Sequence, residues 1–445
     1  MSKSKMFLPG CAKFVVSATL IFVLLNSASA FAQKPEKTLL LFDGTNGAYP
    51  DGLSMDPSGD LWIMANSGGL GNCIGYELGC GTLLELTPVS GGWKPEMVYK
   101  FQGGSDGSAP TGSLAFDGQG NVYGETMYGG EDPGEFGTVF KLTPVSGGWT
   151  ESVIYRFNLP GSTMNDGWQP EGGLIIDSAG NLYGVTTRGG DQDGGGACQG
   201  GCGTAFELSP NADGNWTETI LYNFGAGSSD GEYPMGSLVF DALGNLYGTT
   251  ASGGLNSCEY GCGVAFRLSP NGLGGWAETI IHSFGSLSGD GLNPAAGLAI
   301  DTAGSLYGTT AGGGFGNGTV FRLMPSSSGK WLESILYGFP GNHGGIPAFG
   351  VTLDSAGNLY GTTWTGGAFS YGTAFELSPT PAGEWRETDL HSFGEGQDGR
   401  RPDIALVIDG SGNLYGETAI GGIDDTIPCT QYGIDGCGTV FEIVP

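Results

Sequence analysis

Two glutamates in the sequence have the chemistry of an acid/base pair. Glu125 and Glu417 each follow a Tyr-Gly pair in a repeated segment, and three equivalent segments carry Thr at that position. Two carboxyl groups within about 10 Å of each other can cleave a glycosidic bond. In a closed ring of the repeats, one complete unit would lie between them. We therefore expect the two carboxyl groups to be too far apart, and we assign no catalytic residue.

A second acidic pattern could bind a metal ion. Asp191 and Asp193 begin a segment similar to a calcium-binding loop, but the third oxygen ligand is missing at the required spacing. We predict a weak calcium site there and no other cofactor. The string Gly-x-Ser-x-Gly occurs at 103–107 and 227–231 without the strand-to-helix turn of a nucleophile elbow, so it predicts no serine hydrolase.

Aromatic and basic residues that depart from the repeat indicate a ligand surface. Trp168 lies in a link between units, and Tyr128, Arg188 and Trp364 each stand just before a Gly-Gly pair. Exposed aromatic rings can stack on sugar rings, whereas the alternative is a ring folded against a neighbouring loop, because Trp is usually well buried. We predict these four residues as ligand-binding residues.

Eight of the nine cysteines form four close pairs. The pairs are Cys73/Cys80, Cys198/Cys202, Cys258/Cys262 and Cys429/Cys437. Paired cysteines in an exported chain indicate disulfides. No histidine stands near them to complete a tetrahedral zinc site. We predict four structural disulfides that fix the shape of their loops more than they raise global stability.

The elements that must position these residues recur through the whole chain. The segment Asp-x-x-Gly-Asn-Leu-Tyr-Gly and its near variants occur seven times at spacings of 53 to 64 residues. Units this small are marginal alone and must stack on one another. The first residue of the segment is present in every unit, so we predict that it bonds the backbone of its own turn. These residues are Asp56, Asp117, Asp177, Asp241, Asp301, Asp354 and Asp409.

Each unit contains four strand-like runs and no run with helical periodicity. In the third unit the runs cover residues 173–176, 181–187, 203–208 and 216–224. They are rich in β-branched and aromatic residues and bounded by Gly, Pro, Asn and Asp, which is typical of strands. A tryptophan opens the fourth run in six units, and we predict that it packs between units.

The ends of the chain indicate a closed ring. The seventh unit stops after its third strand, and residues 36–42 match the missing fourth strand. Only a ring needs such a permutation, and a ring of four-stranded units is a β-propeller. We predict an all-β, seven-bladed β-propeller, closed by strand 36–42 and preceded by a signal peptide at 1–32. The predicted blades are 52–101, 112–157, 172–224, 236–284, 296–339, 349–393 and 403–445 plus 36–42.

The N-terminus and the charge indicate an exported protein. Lysines and then an apolar stretch at 14–25 precede small residues, with cleavage after Ala30 or Ala32. The net charge is −29, which disfavours nucleic acid and anionic membranes as partners because phosphates require Lys and Arg. We expect a secreted or periplasmic monomer without a membrane span.

The repeat resembles a known family. Gly-Asn-Leu-Tyr-Gly-Thr-Thr at 244–250 and 357–363, the Gly-Gly pairs, and Gly-Thr-Val-Phe at 318–321 and 438–441 are similar to the tandem repeats of choice-of-anchor GloVer-type bacterial proteins. The resemblance implies an exported protein without an assigned activity. Residues 56–62 are distantly similar to NHL, SMP-30-like and two-component-regulator repeats, which implies a propeller.

These observations predict a non-catalytic binding or scaffolding module. The long links and Gly-Gly loops belong to one face of the ring, so we expect polysaccharide or an extracellular surface protein to bind there. The alternative is a carbohydrate lyase, a hydrolase or an SMP-30-like lactonase with its site at the central channel. Non-repeat carboxylates or histidines converging on that channel would favour the enzyme. A third possibility is a purely structural envelope component.

Overall fold

In the part of the chain that it describes, the computed structural model contains seven antiparallel sheets of four or five strands, one for each blade, and two two-stranded sheets. None of the described residues forms a helix that is long and apolar enough to cross a membrane. The structure describes residues 36–69, 73, 78–131, 134–157, 166–190, 198, 200–255, 258, 261–272, 274–286, 289–422, 429 and 436–445.

The first strands of the chain build three blades. After β1 (Glu36–Leu41), blade 1 consists of β2 (Ala48–Met55), β3 (Leu61–Ser67), β4 (Thr82–Val89) and β5 (Gly92–Lys100). A 3-10 helix, Gly104–Asp106, precedes blade 2, which has β6 (Ser108–Phe116), β7 (Val122–Tyr128), the hairpin β8 (Gly130–Glu131) and β9 (Gly134–Glu135), β10 (Thr138–Val145) and β11 (Gly148–Arg156). Blade 3 has β12 (Gly167–Pro170), β13 (Ile175–Ile176), β14 (Leu182–Gly189), β15 (Thr204–Pro210) and β16 (Trp216–Asn223).

The remaining strands build four more blades of the same plan. Blade 4 has β17 (Gly231–Phe240), β18 (Leu246–Gly253), β19 (Val264–Pro270) and β20 (Trp276–Ser283). Blade 5 has β21 (Gly291–Leu292), β22 (Ala299–Ile300), β23 (Leu306–Thr310), β24 (Gly312–Gly313), β25 (Thr319–Pro325) and β26 (Trp331–Gly338). Blade 6 has β27 (Val351–Leu353), β28 (Leu359–Thr363), β29 (Thr373–Pro379) and β30 (Trp385–Ser392). Blade 7 has β31 (Gly399–Pro402), β32 (Val407–Ile408), β33 (Leu414–Gly421) and β34 (Thr439–Ile443).

The N-terminal strand closes the ring, as the sequence predicted. β1 pairs antiparallel with β34, with Glu36 opposite Ile443 and Leu41 opposite Thr439. It therefore supplies the fourth strand of blade 7, whose other strands come from the C-terminal end of the chain. The predicted seven-bladed fold is confirmed.

The repeated segment is a self-contained turn. Asp177 Oδ1 accepts hydrogen bonds from the N–H groups of Ala179 and Asn181, at 2.8 and 2.9 Å. Its Oδ2 accepts from the Asn181 side chain at 2.9 Å and from the Tyr183 hydroxyl at 3.1 Å. Gly180 adopts a φ of 88°, which favours glycine. One aspartate thus explains the Gly, Asn and Tyr of the segment, and its predicted structural role is confirmed.

Aromatic side chains join each blade to the next. Trp276 of blade 4 packs edge-on against Tyr183 of blade 3, with ring centroids 6.3 Å apart. Phe224 of blade 3 meets Phe266 of blade 4 at 4.9 Å. The prediction that the tryptophans pack between blades is confirmed for six residues: Trp93, Trp149, Trp216, Trp276, Trp331 and Trp385.

The four predicted cysteine pairs are disulfide-bonded. The bonds join Cys73 to Cys80, Cys198 to Cys202, Cys258 to Cys262, and Cys429 to Cys437. Each bond closes a short loop between the second and third strands of its blade. The covalent constraint is therefore local.

Candidate functional site

The links between blades share one backbone conformation. In every blade the residue before the link proline has a φ between 54° and 59°, a backbone conformation that residues other than glycine rarely adopt. Its N–H donates to a carbonyl of the preceding blade, as from Tyr233 to Cys202 at 2.9 Å. Next to that carbonyl lies Gly203, where a Cβ would stand 2.6 Å from the Cδ of Pro234. All seven blades share this unusual backbone conformation, so it belongs to the fold and does not mark a functional site. The seven residues are Tyr49, Ala109, Gln169, Tyr233, Asn293, Ile346 and Arg401.

The residue after the link proline begins the wall of the central channel, and its type is not repeated. Four consecutive blades, 7, 1, 2 and 3, supply the polar residues Asp403, Asp51, Thr111 and Glu171. We call these four residues the polar arc. Blades 4, 5 and 6 supply Met235, Ala295 and Ala348, which we call the apolar arc. The channel therefore has two chemically different sides.

A cavity of about 720 Å³ lies inside this ring, which is large enough for a drug-sized ligand. It is lined by the innermost strands of all seven blades. The innermost strands approach closely inside the channel: Ser113 Oγ lies 2.8 Å from Ser237 Oγ, although blade 3 lies between their blades. Asp51 stands on β2 near the position paired with Ala65, close to the end of β3 that leads into the disulfide loop. The polar arc thus stands at the mouth on the loop-rich face.

Two further carboxyl groups lie behind the innermost strands. Glu125 and Glu417 are fully buried. Glu417 accepts a hydrogen bond from Gly52 N–H at 2.7 Å, and Glu125 accepts one from Gly173 N–H at 3.0 Å. The second oxygen of each carboxyl group has no hydrogen-bond partner among the described residues. These two glutamates link different pairs of blades.

Burial and mutual repulsion raise the pKa values of this group. Burial raises the pKa of Asp51 to about 6, against hydrogen bonds from Thr111 and Asn66. Burial, helped by the charge of Asp51, raises the pKa of Glu171 to about 7. Burial raises the pKa of Glu125 to about 8.

Burial and neighbouring charges also raise the pKa values of the remaining two carboxyl groups of the site. Burial first, and then the charges of Glu417 and Asp51, hold the pKa of Asp403 well above its usual range. Burial and the charge of Asp51 do the same for the pKa of Glu417. The five carboxyl groups therefore form one electrostatic system in which burial and mutual repulsion favour the protonated forms.

One of the four predicted ligand-binding residues packs on the lining of the channel, and a second acts on the lining through its charge. Trp364 packs against Phe349, with ring centroids 5.8 Å apart, and Phe349 lines the cavity. Arg188 lowers the pKa of Glu171 by its charge, and its guanidinium lies over the Tyr233 ring at 4.9 Å.

The other two predicted residues are tied to the surrounding blades. Trp168 is opposite Arg188 in the sheet, packs on Phe136, and donates its indole N–H to Gly200 O at 3.1 Å. Tyr128 ends β7 opposite Ser108. The predicted calcium ligands Asp191 and Asp193 lie outside the described residues. A ligand-binding role for all these residues stays a prediction.

The sequence carries a signal for the polar arc at the residue after the link proline, a position that the sequence analysis above does not include among the departures from the repeat. Three of the seven residues at that position, Asp51, Glu171 and Asp403, are acidic. Aligning the units on the proline exposes this pattern.

Solved structures with this fold include enzymes. Virginiamycin B lyase from Staphylococcus aureus matches with a TM-score of 0.52 at 14% identity, over 92% of this chain and 99% of that chain. Its catalytically inactive variant with quinupristin matches at a TM-score of 0.51, 14% identity and the same coverage. A putative oxidoreductase (glucose dehydrogenase) from Thermus thermophilus has a TM-score of 0.44 and 15% identity, over 92% of this chain and 100% of that chain. At these identities the likeness shows the fold alone.

The sequence comparison is more specific. No curated protein matches the chain. The Gloeobacter/Verrucomicrobia repeat matches three overlapping segments, residues 26–198, 74–316 and 300–445. Together these segments cover every blade of the propeller. The chain therefore belongs to the Gloeobacter/Verrucomicrobia repeat family.

Proposed function

We propose that this is an exported binding protein that holds a small amphipathic cation in its central channel. The observation that carries the proposal is the division of the channel mouth into a polar arc with three carboxyl groups and an apolar arc. A ligand with an ammonium group on an apolar body would match both sides. Four disulfides and an acidic chain support an exported binding module.

Charge favours a cation over an anion or a sugar. Asp51 and Glu171 have pKa values of about 6 and 7, so a cation beside them would favour their ionised forms. An anion would add repulsion to a site that already raises every carboxyl pKa. Met235 and the two alanines of the apolar arc offer no hydrogen-bonding side chain to the hydroxyl groups of a sugar.

The test is a thermal-shift screen of the purified protein with matched ligands. Phenylbutylamine and phenylbutanol have the same carbon skeleton and differ in charge. A ligand at about 100 times its dissociation constant stabilises a protein by roughly 2.7 kcal/mol, so we expect a clear shift with the amine and little with the alcohol. Equal shifts would contradict a carboxylate site. A shift with soluble glycans alone would move the ligand site to the face around Trp364 and Arg188.

A second candidate function is acid/base hydrolysis, which one observation favours. The pKa of Asp51 is about 6, whereas the pKa of Glu417 lies well above its usual range. The pKa values of the two carboxyl groups are thus raised to different extents, and such a difference is what a base and an acid need. Turnover of aryl glycosides or lactones, lost in Glu417→Gln and in Asp51→Asn, would support it. Absence of turnover would leave the binding function intact.

A further inference from the structure

A repeated polar contact joins the outer strands of neighbouring blades. In blade 3, the Tyr222 hydroxyl donates to Asp230 Oδ2 in the following link at 3.0 Å. In blade 2, the Tyr155 hydroxyl donates to Glu218 on the outer strand of blade 3 at 2.7 Å. Each contact therefore brings together a tyrosine, a link aspartate and a glutamate of the next blade. The tyrosine supplies the proton that lets two acidic groups lie side by side.

Histidine replaces the tyrosine at the boundary between blades 4 and 5, and the hydrogen bonds are lost. His282 Nε2 lies 3.6 Å from Asp290 Oδ2 and 3.5 Å from Glu333 Oε1. Both separations exceed the usual limit of about 3.2 Å for a hydrogen bond from nitrogen. His282 Nε2, Asp290 Oδ1 and Glu333 Oε1 are buried atoms without a hydrogen-bond partner among the described residues.

Unpartnered polar atoms at such a depth need compensation. The Asp290 side chain is fully buried, and the side chains of Glu333 and His282 are only 11% and 15% exposed. Leaving one buried polar group unpaired costs about 1–3 kcal/mol, and more for charged groups. An unpartnered imidazole nitrogen that faces two carboxyl groups therefore indicates a ligand that the protein atoms alone do not supply.

The spacing of the three groups fits a metal ion. One ligand atom from each of His282, Asp290 and Glu333 lies within 4.8 Å of the other two. Zinc binds nitrogen and oxygen ligands at about 2.0–2.2 Å in a tetrahedron, which places ligand atoms roughly 3.3–3.6 Å apart. The two measured separations fall in this range. Ser286 N–H donates to Asp290 Oδ2 at 2.9 Å and orients that carboxylate.

We propose that His282, Asp290 and Glu333 bind a divalent transition-metal ion, Zn²⁺ foremost, that bridges blades 4 and 5. One imidazole and two carboxylates are a donor set for Zn²⁺ rather than for Mg²⁺ or Ca²⁺, which prefer oxygen alone. The two positive charges of the ion balance the two carboxylates. Water completes the coordination from the partly exposed side.

The histidine of blade 6 gives an internal comparison. His391 Nε2 lies 2.8 Å from Asp398 Oδ2, which is a hydrogen bond. The imidazole there makes the hydrogen bond that the tyrosine hydroxyl makes in other blades, and Glu36 is the third member of that cluster. His391→Tyr is therefore the matched control for His282→Tyr, and both substitutions restore the residue type of other blades.

The experiment uses Co²⁺ as a spectroscopic probe on untagged protein freed of metal with EDTA. We expect one Co²⁺ per chain with the visible absorption of four-coordinate cobalt, displaced by Zn²⁺. His282→Tyr should weaken this binding at least about 100-fold, the upper end of what changes around a metal site cost, and His391→Tyr should leave it unchanged. Glu333→Gln removes one ligand at constant shape and serves as second variant if His282→Tyr does not fold.

A gain-of-site variant makes the test reciprocal. Tyr222→His places an imidazole beside Asp230, with Glu278 on the next blade. We expect it to add a second equivalent of Co²⁺. The proposal is overturned if the wild-type protein binds no Co²⁺, or if binding survives in both His282→Tyr and Glu333→Gln.

Discussion

Single carboxyl groups decide both recognition and stability in this protein. Glu125 and Glu417 stand where other units of the repeat have neutral residues, and both are fully buried. Each accepts one hydrogen bond, from a glycine N–H of another blade. Burial raises the pKa values of both groups, so ionising either of them in the folded protein is costly. The same physics governs the polar arc, where a bound cation would offset the cost.

The first prediction concerns Glu125 and pH. Its pKa is about 8 in the folded protein against 4.5 as the ordinary value, so the folded state binds more protons between these values. The stability from this group is complete below about pH 4.5 and is lost as the pH rises through 8. Glu125→Gln should match the wild type at pH 5 and exceed it by roughly 2–4 kcal/mol at pH 9.

Denaturant unfolding at the two pH values measures this difference. Glu96 is exposed and paired with Lys94 at the surface, so Glu96→Gln is the control and should follow the wild type at both pH values. The same loss of stability at pH 9 in Glu125→Gln as in the wild type would contradict the assignment.

A second prediction concerns ligand binding. A cation favours the ionised forms of Asp51 and Glu171, whose pKa values are about 6 and 7. The affinity for phenylbutylamine should therefore rise between pH 5.5 and pH 8, because the amine stays protonated over that range while the carboxyl groups lose their protons. Titration calorimetry at four pH values measures the slope, and Asp51→Asn should flatten it. A pH-independent affinity in the wild type would count against the polar arc as the site.

Individual residues of the site were only partly accessible to sequence reasoning. Glu125 and Glu417 stood out because they replace Thr inside a well-defined repeated segment. Asp51, Glu171 and Asp403 lie in links of varying composition, and they stand out only when the units are aligned on the link proline. Their proximity follows from the ring, which brings together residues more than 100 positions apart in the sequence.

At the scale of elements, the tight turn is the unit that makes each blade. Asp177 accepts four hydrogen bonds within seven residues, and this explains why the segment recurs almost unchanged. The strands and the tight aspartate turn of each unit were predictable from the sequence, because they depend on interactions between residues that are close in the chain. The contacts between the acidic groups of neighbouring outer strands were not predictable, because each contact joins two blades.

The turn yields a third prediction. Asp177→Ala removes all four hydrogen bonds and leaves the Tyr183 hydroxyl and two backbone N–H groups without this acceptor. We expect a loss of about 1–3 kcal/mol, measured by denaturant unfolding. Ser178→Ala changes an exposed residue of the same turn and should stay within about 0.5 kcal/mol of the wild type. Equal effects of the two variants would show that the aspartate does not hold the turn.

At the scale of the whole molecule, closure turns seven marginal blades into one body. Among the described strands, β1 is the one from the N-terminal end of the chain that is hydrogen-bonded into the sheet of blade 7. The blade count and the closure were predictable from the ends of the sequence, because the repeat shows which strand is missing. The division of the channel into a polar arc and an apolar arc was not predicted, because it depends on one position in each of seven blades.

Closure gives the fourth prediction. Deleting residues 36–42 exposes the edge of β34 and the side of blade 7, so thermal unfolding should begin at a clearly lower temperature. Moving the same seven residues to the C-terminus after Pro445 with a short flexible linker restores the missing strand and should recover most of the loss. Unchanged thermal stability of the deletion variant would contradict ring closure by β1.

Titration calorimetry at pH 8 is the decisive measurement of cation binding by the polar arc. We expect phenylbutylamine to bind once per chain and phenylbutanol to bind far more weakly. Asp51→Asn should weaken amine binding at least about tenfold, since a lost charge-assisted contact costs about 1.5–3 kcal/mol. Glu232 is a carboxylate outside the cavity, so Glu232→Gln should leave binding unchanged. Equal affinities for amine and alcohol, or an unaffected Asp51→Asn variant, would show that the polar arc does not bind the cation.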